Sequence, residues 1–476
     1  MKKQWITLII LFNSIMPIIG QTTLNTHVDE RTELVSIVCK LADYKEYNDN
    51  YNTNKVYIKD VNDYFEKYKS DSLIQYTKLL REKQDIMYDA PMSLAISLEQ
   101  KNEFQFISGL KNGVPDERWT TASADNFLRL LNKFYVTTNF HQFFEKHQPF
   151  YTKMANNFDS CLTNLNFDWY EKFYGEKSKG SFTVILNGIN GGNNYGTKNE
   201  YKNGVVNCSS IIGPWIFDST LTIPKQYLDA VKETIIHEFN HSFCNPLIFK
   251  YLDQMESNSK KMFKCVKSVM EKQAYGANRT MMCELLVRAG VIKYSMDNNT
   301  HDSIRFNKSI VRESLNGFYW IDPVYKALQQ YDKQRDKYPT LDSYMPEMVK
   351  MINSLETKKY IKEFEKRCPK FKIQTSIKDG NKNVDPSTKE LIVKFDQKMD
   401  NGAYGCTCGE KGRDYMPKVT GAEWNMGNKQ EWVLAIQLEP NKEYSIAFPY
   451  EWFRDENMMP GKSGMYTLSF KTGNAR

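Results

Sequence analysis

Near Cys368 the apolar residues of this chain change period. Upstream they recur every three or four positions, as on one face of a helix. Downstream they alternate strictly. Glu33 to Ala42, Asp125 to Tyr135 and Asn139 to His147 all carry the helical spacing. After Cys368-Pro369, Leu391, Val393 and Phe395 alternate with polar residues. So do Trp432, Leu434, Ile436 and Leu438, then Tyr444, Ile446 and Phe448, then Tyr466, Leu468 and Phe470. Asp379-Gly380, Asn401-Gly402, Pro440-Asn441 and Pro460-Gly461 supply turns between them. No single-class fold accommodates both periods. The expected fold is α+β, mostly helical with a small sheet, closed by an antiparallel β-sandwich over 369–476.

The helical part divides again. Residues 21–174 read as mainly helical. From 175 to 368 the texture is mixed. Ser181 to Leu186 and Val205 to Ile212 read as strands, and the Gly- and Asn-rich stretch Asn187 to Gly204 reads as a loop. That loop has no following Gly-Lys-Ser/Thr, so phosphate binding is not expected of it. Pro224 suits a first helical turn, and Leu228, Val231, Ile235 and Phe239 form an apolar stripe. The helix is expected to stop near Phe243, because Asn245-Pro246 follows. Further helices are expected at about 257–273 and 279–294, and then on to about 367.

On that first helix lies His237-Glu-Phe-Asn-His241. Positions i and i+4 share a helix face, so both imidazoles reach one ion. Glu238 lies about 100° round from His237, too far to join them as a ligand but suited to accept a proton from a metal-activated water. The chain has only six His, which makes this frame a specific one. The rival reading is a helix with two ordinary histidines. Catalytic zinc needs a third protein ligand and an open position. Glu256 and Glu271 have lysine-rich, solvated surroundings, and His301 falls in a polar loop. Glu284 sits among apolar residues in Met281 to Ala289, where a carboxylate needs a partner. Either the metal or Arg288, one turn on, supplies it, and the two are compatible. Tyr195 and Tyr201, beside the expected strands, are candidates for transition-state stabilisation. His141 and His147 read as core or surface histidines. Cys406-x-Cys408 lacks a second pair, and Cys244 follows His241 too closely to share its ion.

The His237–His241 motif followed by a helix bearing Glu284 resembles the gluzincin zinc metallopeptidases. The resemblance implies Zn2+ on His237, His241 and Glu284, with Glu238 as general base. Many members carry Asp four residues after the ligand Glu; here that position is Arg288. A wider resemblance rests on Arg31-Thr-Glu-Leu34, Phe140 to His147, His237 to Pro246 and Glu284 to Ala289. It is to exported bacterial proteins of unknown function, and it implies a metallopeptidase-like, zincin-like domain. Asn383 to Ser387, Val393 to Met399 and Leu438 to Tyr444 resemble bacterial Ig-like domains of the S-layer type, which implies a spacer or a module for cell-surface or glycan contact.

Lys2 and Lys3 precede an apolar run from Trp5 to Ile19. This is the pattern of a secretory leader cleaved near Gly20, so residues 1–20 are expected to be a signal peptide and the protein exported: periplasmic, surface-bound or secreted. No later stretch has spanning length. The nine Cys are too sparse for a disulfide framework. Net charge is +7, from 64 basic and 57 acidic residues, without a basic cluster, so nucleic acid is not an expected partner. The function expected is zinc-dependent hydrolysis of a peptide or protein substrate. The alternative is a non-catalytic exported binding protein on a metal-site scaffold.

Overall fold

The computed structural model describes residues 25–49, 54–113, 115–160, 165–175, 180–298 and 302–474. The expected leader, Cys161 and His301 lie outside the described residues. The fold is α+β, 52% helix and 18% strand, with a sheet-rich C-terminal region. Among the described residues no helix is long and apolar enough to cross a membrane. Two compact units are distinguished: the described residues of 1–171 with 177–239, and those of 172–176 with 240–476.

In the first unit the helix Glu30–Leu41 is central. Asp29 caps it, its carboxylate accepting the Arg31 amide at 2.9 Å. Leu34, Val35, Ile37, Val38 and Cys39 are all fully buried, so the helix is enclosed rather than amphipathic. Lys55–Phe65, Ser72–Gln84, Asp89–Ile96, Thr121–Thr138, Phe140–Lys146 and Gln148–Asp159 add to the helical layer. A four-stranded sheet runs in the order Asn25–Val28, Phe182–Leu186, Val206–Ile212, Asn194–Glu200. The first three strands are parallel, and the edge strand Asn194–Glu200 is antiparallel.

One expectation is corrected here and another is extended. The expected loop of 187–204 contains the edge strand. Its burial alternates as a strand's should, but the buried residues are Tyr195, Thr197 and Asn199. Asn199 is satisfied by the Ile96 carbonyl at 2.7 Å and the Ser97 hydroxyl at 3.1 Å. Polar burial leaves no apolar signal to read. The region 21–174, expected to be mainly helical, also supplies the strand Asn25–Val28 and a hairpin of Leu98–Gln100 with Phe104–Phe106.

The motif helix is also longer than expected. It runs unbroken over Leu228–Lys272, with Pro246 inside. Proline in a helix interior costs about 3 kcal/mol. Beyond it Ile248, Met255, Met262 and Met270 are buried along one side, each contributing roughly 1.5–3 kcal/mol. Burial outweighs the proline. Asn278–Asn298, Ser303–Leu315, Ile321–Lys333, Leu341–Ser354 and Thr357–Arg367 follow.

At the C-terminus two antiparallel sheets share one core. The first is ordered Lys418–Trp424, Glu431–Gln437, Glu390–Phe395, Ile373–Thr375; the second is Thr407–Cys408, Glu443–Pro449, Met465–Lys471. Leu391, Val393, Phe395, Trp432, Leu434, Ile436, Tyr444, Ile446, Phe448, Leu468 and Phe470 fill that core, the same residues whose alternation predicts the strands. Lys418–Trp424 was not anticipated: it is an edge strand, exposed along most of its length and interrupted between Val419 and Gly421. Among the described residues Cys39, Cys244, Cys265, Cys368, Cys406 and Cys408 are free thiols.

Candidate metal centre

The two residues between Glu238 and His241 anchor the motif helix. Phe239 packs edge-on against Phe182 of the sheet, ring centres 5.1 Å apart, and against Phe167 at 5.9 Å. Three residues earlier, the Ile236 carbonyl accepts the Tyr170 hydroxyl at 3.2 Å. The edge strand lies so close that a Cβ on Gly196 would run into the Glu238 carbonyl oxygen. Asn240 is fully buried. Its amide donates to the Val287 carbonyl at 3.3 Å, and its Oδ1 accepts the Tyr174 hydroxyl at 3.1 Å. Gly290 allows this approach, since a Cβ there would stand 2.9 Å from the Asn240 amide nitrogen. Asn240 thereby ties the motif helix to Asn278–Asn298 one turn from Glu284.

One ligand atom from each of His237, His241 and Glu284 lies within 4.8 Å of the other two. His241 Nδ1 is 3.1 Å from Asn245 Oδ1. That oxygen can only accept, so the ring proton belongs on Nδ1 and Nε2 keeps its lone pair. Nε2 is 3.5 Å from Glu284 Oε1. Donors on a tetrahedral zinc with arms of about 2.1 Å stand about 3.4 Å apart, so this pair has zinc-like spacing. Two imidazoles and a carboxylate are also a donor set that suits zinc. Glu238, the residue after His237, is buried.

Arg288 sits where the helical spacing places it. Its Nε donates to Glu284 Oε2 at 3.1 Å, Nη1 to Glu313 at 2.7 Å and Nη2 to the Tyr275 hydroxyl at 3.1 Å. Burial opposes its charge, but Glu284, Tyr275 and Glu313 more than offset this and push its pKa above the ordinary value.

The two tyrosines are corrections. Successive strand residues face opposite sides of a sheet, and Gly196 takes the side toward Glu238. Tyr195 therefore faces away, buried beside Tyr47 with ring centres 6.4 Å apart. Burial pushes its hydroxyl pKa well up. Tyr201 follows the strand and pairs with Leu110; five residues from Gly196 is about 16 Å of strand. Neither reaches the cluster. Cys244 is buried 3.3 Å from the Tyr174 hydroxyl, its thiol pushed by burial to about 12. His141 is exposed beside Glu30, and His147 is buried between the Phe143 carbonyl and Asp60.

Residues 24–351, more than half of the chain, match the model of a family described as a domain of unknown function, DUF4932. The chain belongs to this family. The cluster and both helices that build it fall inside the DUF4932 segment, and the C-terminal sheets fall outside it. No curated protein matches the chain. Among solved structures it is similar to the N-terminal part of the bacterial S-layer protein SbsC, with 11% identity over 51% of this chain and 57% of that one, at a TM-score of 0.16. It is also similar to SbsC domains 1–6, with 11% identity over 93% of this chain and 46% of that one, again at 0.16. The chain thus spans about half the length of these structures. Likeness at that TM-score says nothing of the fold or the site.

Proposed function

We propose that this DUF4932 protein is an exported zinc-dependent hydrolase of the gluzincin type, cleaving peptide bonds in a peptide or protein substrate. The observation that carries the reading is the convergence of His237, His241 and Glu284 donor atoms. The Asn245 contact, which fixes the His241 tautomer, adds to it. Zinc held there would supply Lewis acidity toward the scissile carbonyl and toward water. Glu238 accepts the proton of the attacking water and returns it to the leaving amine. The edge strand beside Glu238 offers backbone groups to an extended substrate. The Lys2-Lys3 leader pattern supports export.

The test is peptide-library profiling of the purified chain with and without chelator, beside Glu238→Gln. Cleavage that needs metal, and a variant that keeps one zinc but turns over 10²–10⁴-fold more slowly, are the expected results. Hydrolysis by Glu238→Gln at the wild-type rate would sink the mechanism.

A further inference from the structure

Glu313 has no place in the metal-binding motif, yet it is as deeply buried as Glu284. It belongs to the helix Ser303–Leu315, and its Oε2 accepts Arg288 Nη1 at 2.7 Å. We infer that Glu313 is a positioning residue for the metal centre. By pinning and neutralising Arg288, it makes Glu284 a one-oxygen ligand and keeps the site attractive to a divalent cation. This rests on reading His237, His241 and Glu284 as ligands.

The geometry supports both halves. All three guanidinium nitrogens of Arg288 are engaged, by Glu284, Glu313 and Tyr275, and its Cζ lies 4.7 Å from the centre of the Phe318 ring. A side chain held at four points does not rotate away. Glu284 Oε2 is therefore committed to Arg288, while Oε1 faces His241 Nε2. Oε1 is the oxygen turned toward a cation held with His241.

The second half is charge. A guanidinium bonded to a ligand carboxylate opposes the cation that carboxylate should hold. Glu284 and Arg288 alone sum to zero; with Glu313 the buried group carries one net negative charge. Arg312 Nε also lies 3.3 Å from Glu313 Oε1, but its side chain is 40% exposed, and water screens it. Groups outside the ligand shell typically change metal affinity 10–100-fold when removed.

Zinc dissociation constants, measured by competition with a chromophoric chelator, test this beside the melting temperature of each metal-free protein. Glu313→Gln should bind zinc 10–100-fold more weakly. Adding Arg288→Gln to it should recover part of the loss, because the uncompensated guanidinium is gone. Arg288→Lys keeps the charge but cannot bridge three partners, and should lose about 10-fold; it serves if Glu313→Gln does not fold. A merely structural Glu313 would lower the melting temperature and leave the constant of the folded protein unchanged. That outcome, or a double variant weaker than Glu313→Gln alone, overturns the inference. A wild-type chain that binds no zinc would instead sink the metal reading itself.

Discussion

Glu33 in the first unit and Glu284 in the second are both buried, but in different company. Glu33 Oε1 is 2.5 Å from the Tyr57 hydroxyl, which is 2.7 Å from the Tyr151 hydroxyl; Oε2 accepts the Gly188 amide at 3.0 Å. These partners are dipoles. Burial raises the Glu33 carboxyl to about 7, and the bonds from Tyr57 and Gly188 only moderate the rise. Glu284 has a guanidinium on one oxygen and an imidazole nitrogen near the other. Arg288 is a full ionic partner, and Glu33 has none. Burial alone does not separate the two carboxylates; the charge of their neighbours distinguishes Glu33 from the ligand proposed at Glu284.

The largest effect should come from exchanging the two in turn. Glu284→Gln should lose more zinc affinity than the 10–100-fold typical of groups outside the ligand shell, and Glu33→Gln should lose none. Metal content after dialysis, with folding checked by circular dichroism, reads this directly. Equal zinc in both variants would end the distinction.

A pH series sharpens it next. The folded-state pKa of Glu33 lies above its ordinary value of 4.5. The folded chain therefore holds a proton that the unfolded chain releases between about pH 4.5 and 7, and stability falls as pH rises across that window. A shift to about 7 corresponds to about 3 kcal/mol. The amide of Glu33→Gln can donate to Tyr57 and accept from Gly188, as the protonated acid does. Urea unfolding should find the variant equal to wild type near pH 4 and more stable by about 3 kcal/mol near pH 8. A constant difference at both pH values would show that Glu33 is not the group titrating.

The same distinction explains what was legible in the sequence. The motif helix and the C-terminal strands announce themselves because their buried faces are apolar: Phe239 and Ile235 in one, Leu391, Val393 and Leu434 in the other. Glu284 is legible because a carboxylate stands in an apolar stretch. Asn240, Asn199 and Glu313 are buried as well, but each is held by partners distant in sequence, Val287, Ile96 and Arg288. No local pattern encodes such pairings. The run past Pro246 is hidden for a related reason: the local rule for proline is correct, and distant packing of Ile248 and Met255 overrides it.

The smallest effects concern two glycines near opposite ends of the edge-strand segment. Asn240→Ala is a useful reference: it removes the bonds that Asn240 makes with the Val287 carbonyl and the Tyr174 hydroxyl, and should cost about 1–3 kcal/mol. Gly196 has ordinary backbone angles but no room, because a Cβ would meet the Glu238 carbonyl. Gly204 has a φ of +82° and open space around it. Gly196→Ala must push strand and helix apart, at roughly 1–3 kcal/mol as for other overpacked sites, and the shift falls on the residue proposed as general base. Gly204→Ala meets only backbone strain of about 1 kcal/mol, at a turn that bears no proposed function. If the metal centre acts as proposed, Gly196→Ala should lower kcat well beyond what its folded fraction explains, while Gly204→Ala should lower stability and leave kcat unchanged. Equal kcat for the folded fractions of both variants would mean that the contact between strand and helix serves packing alone.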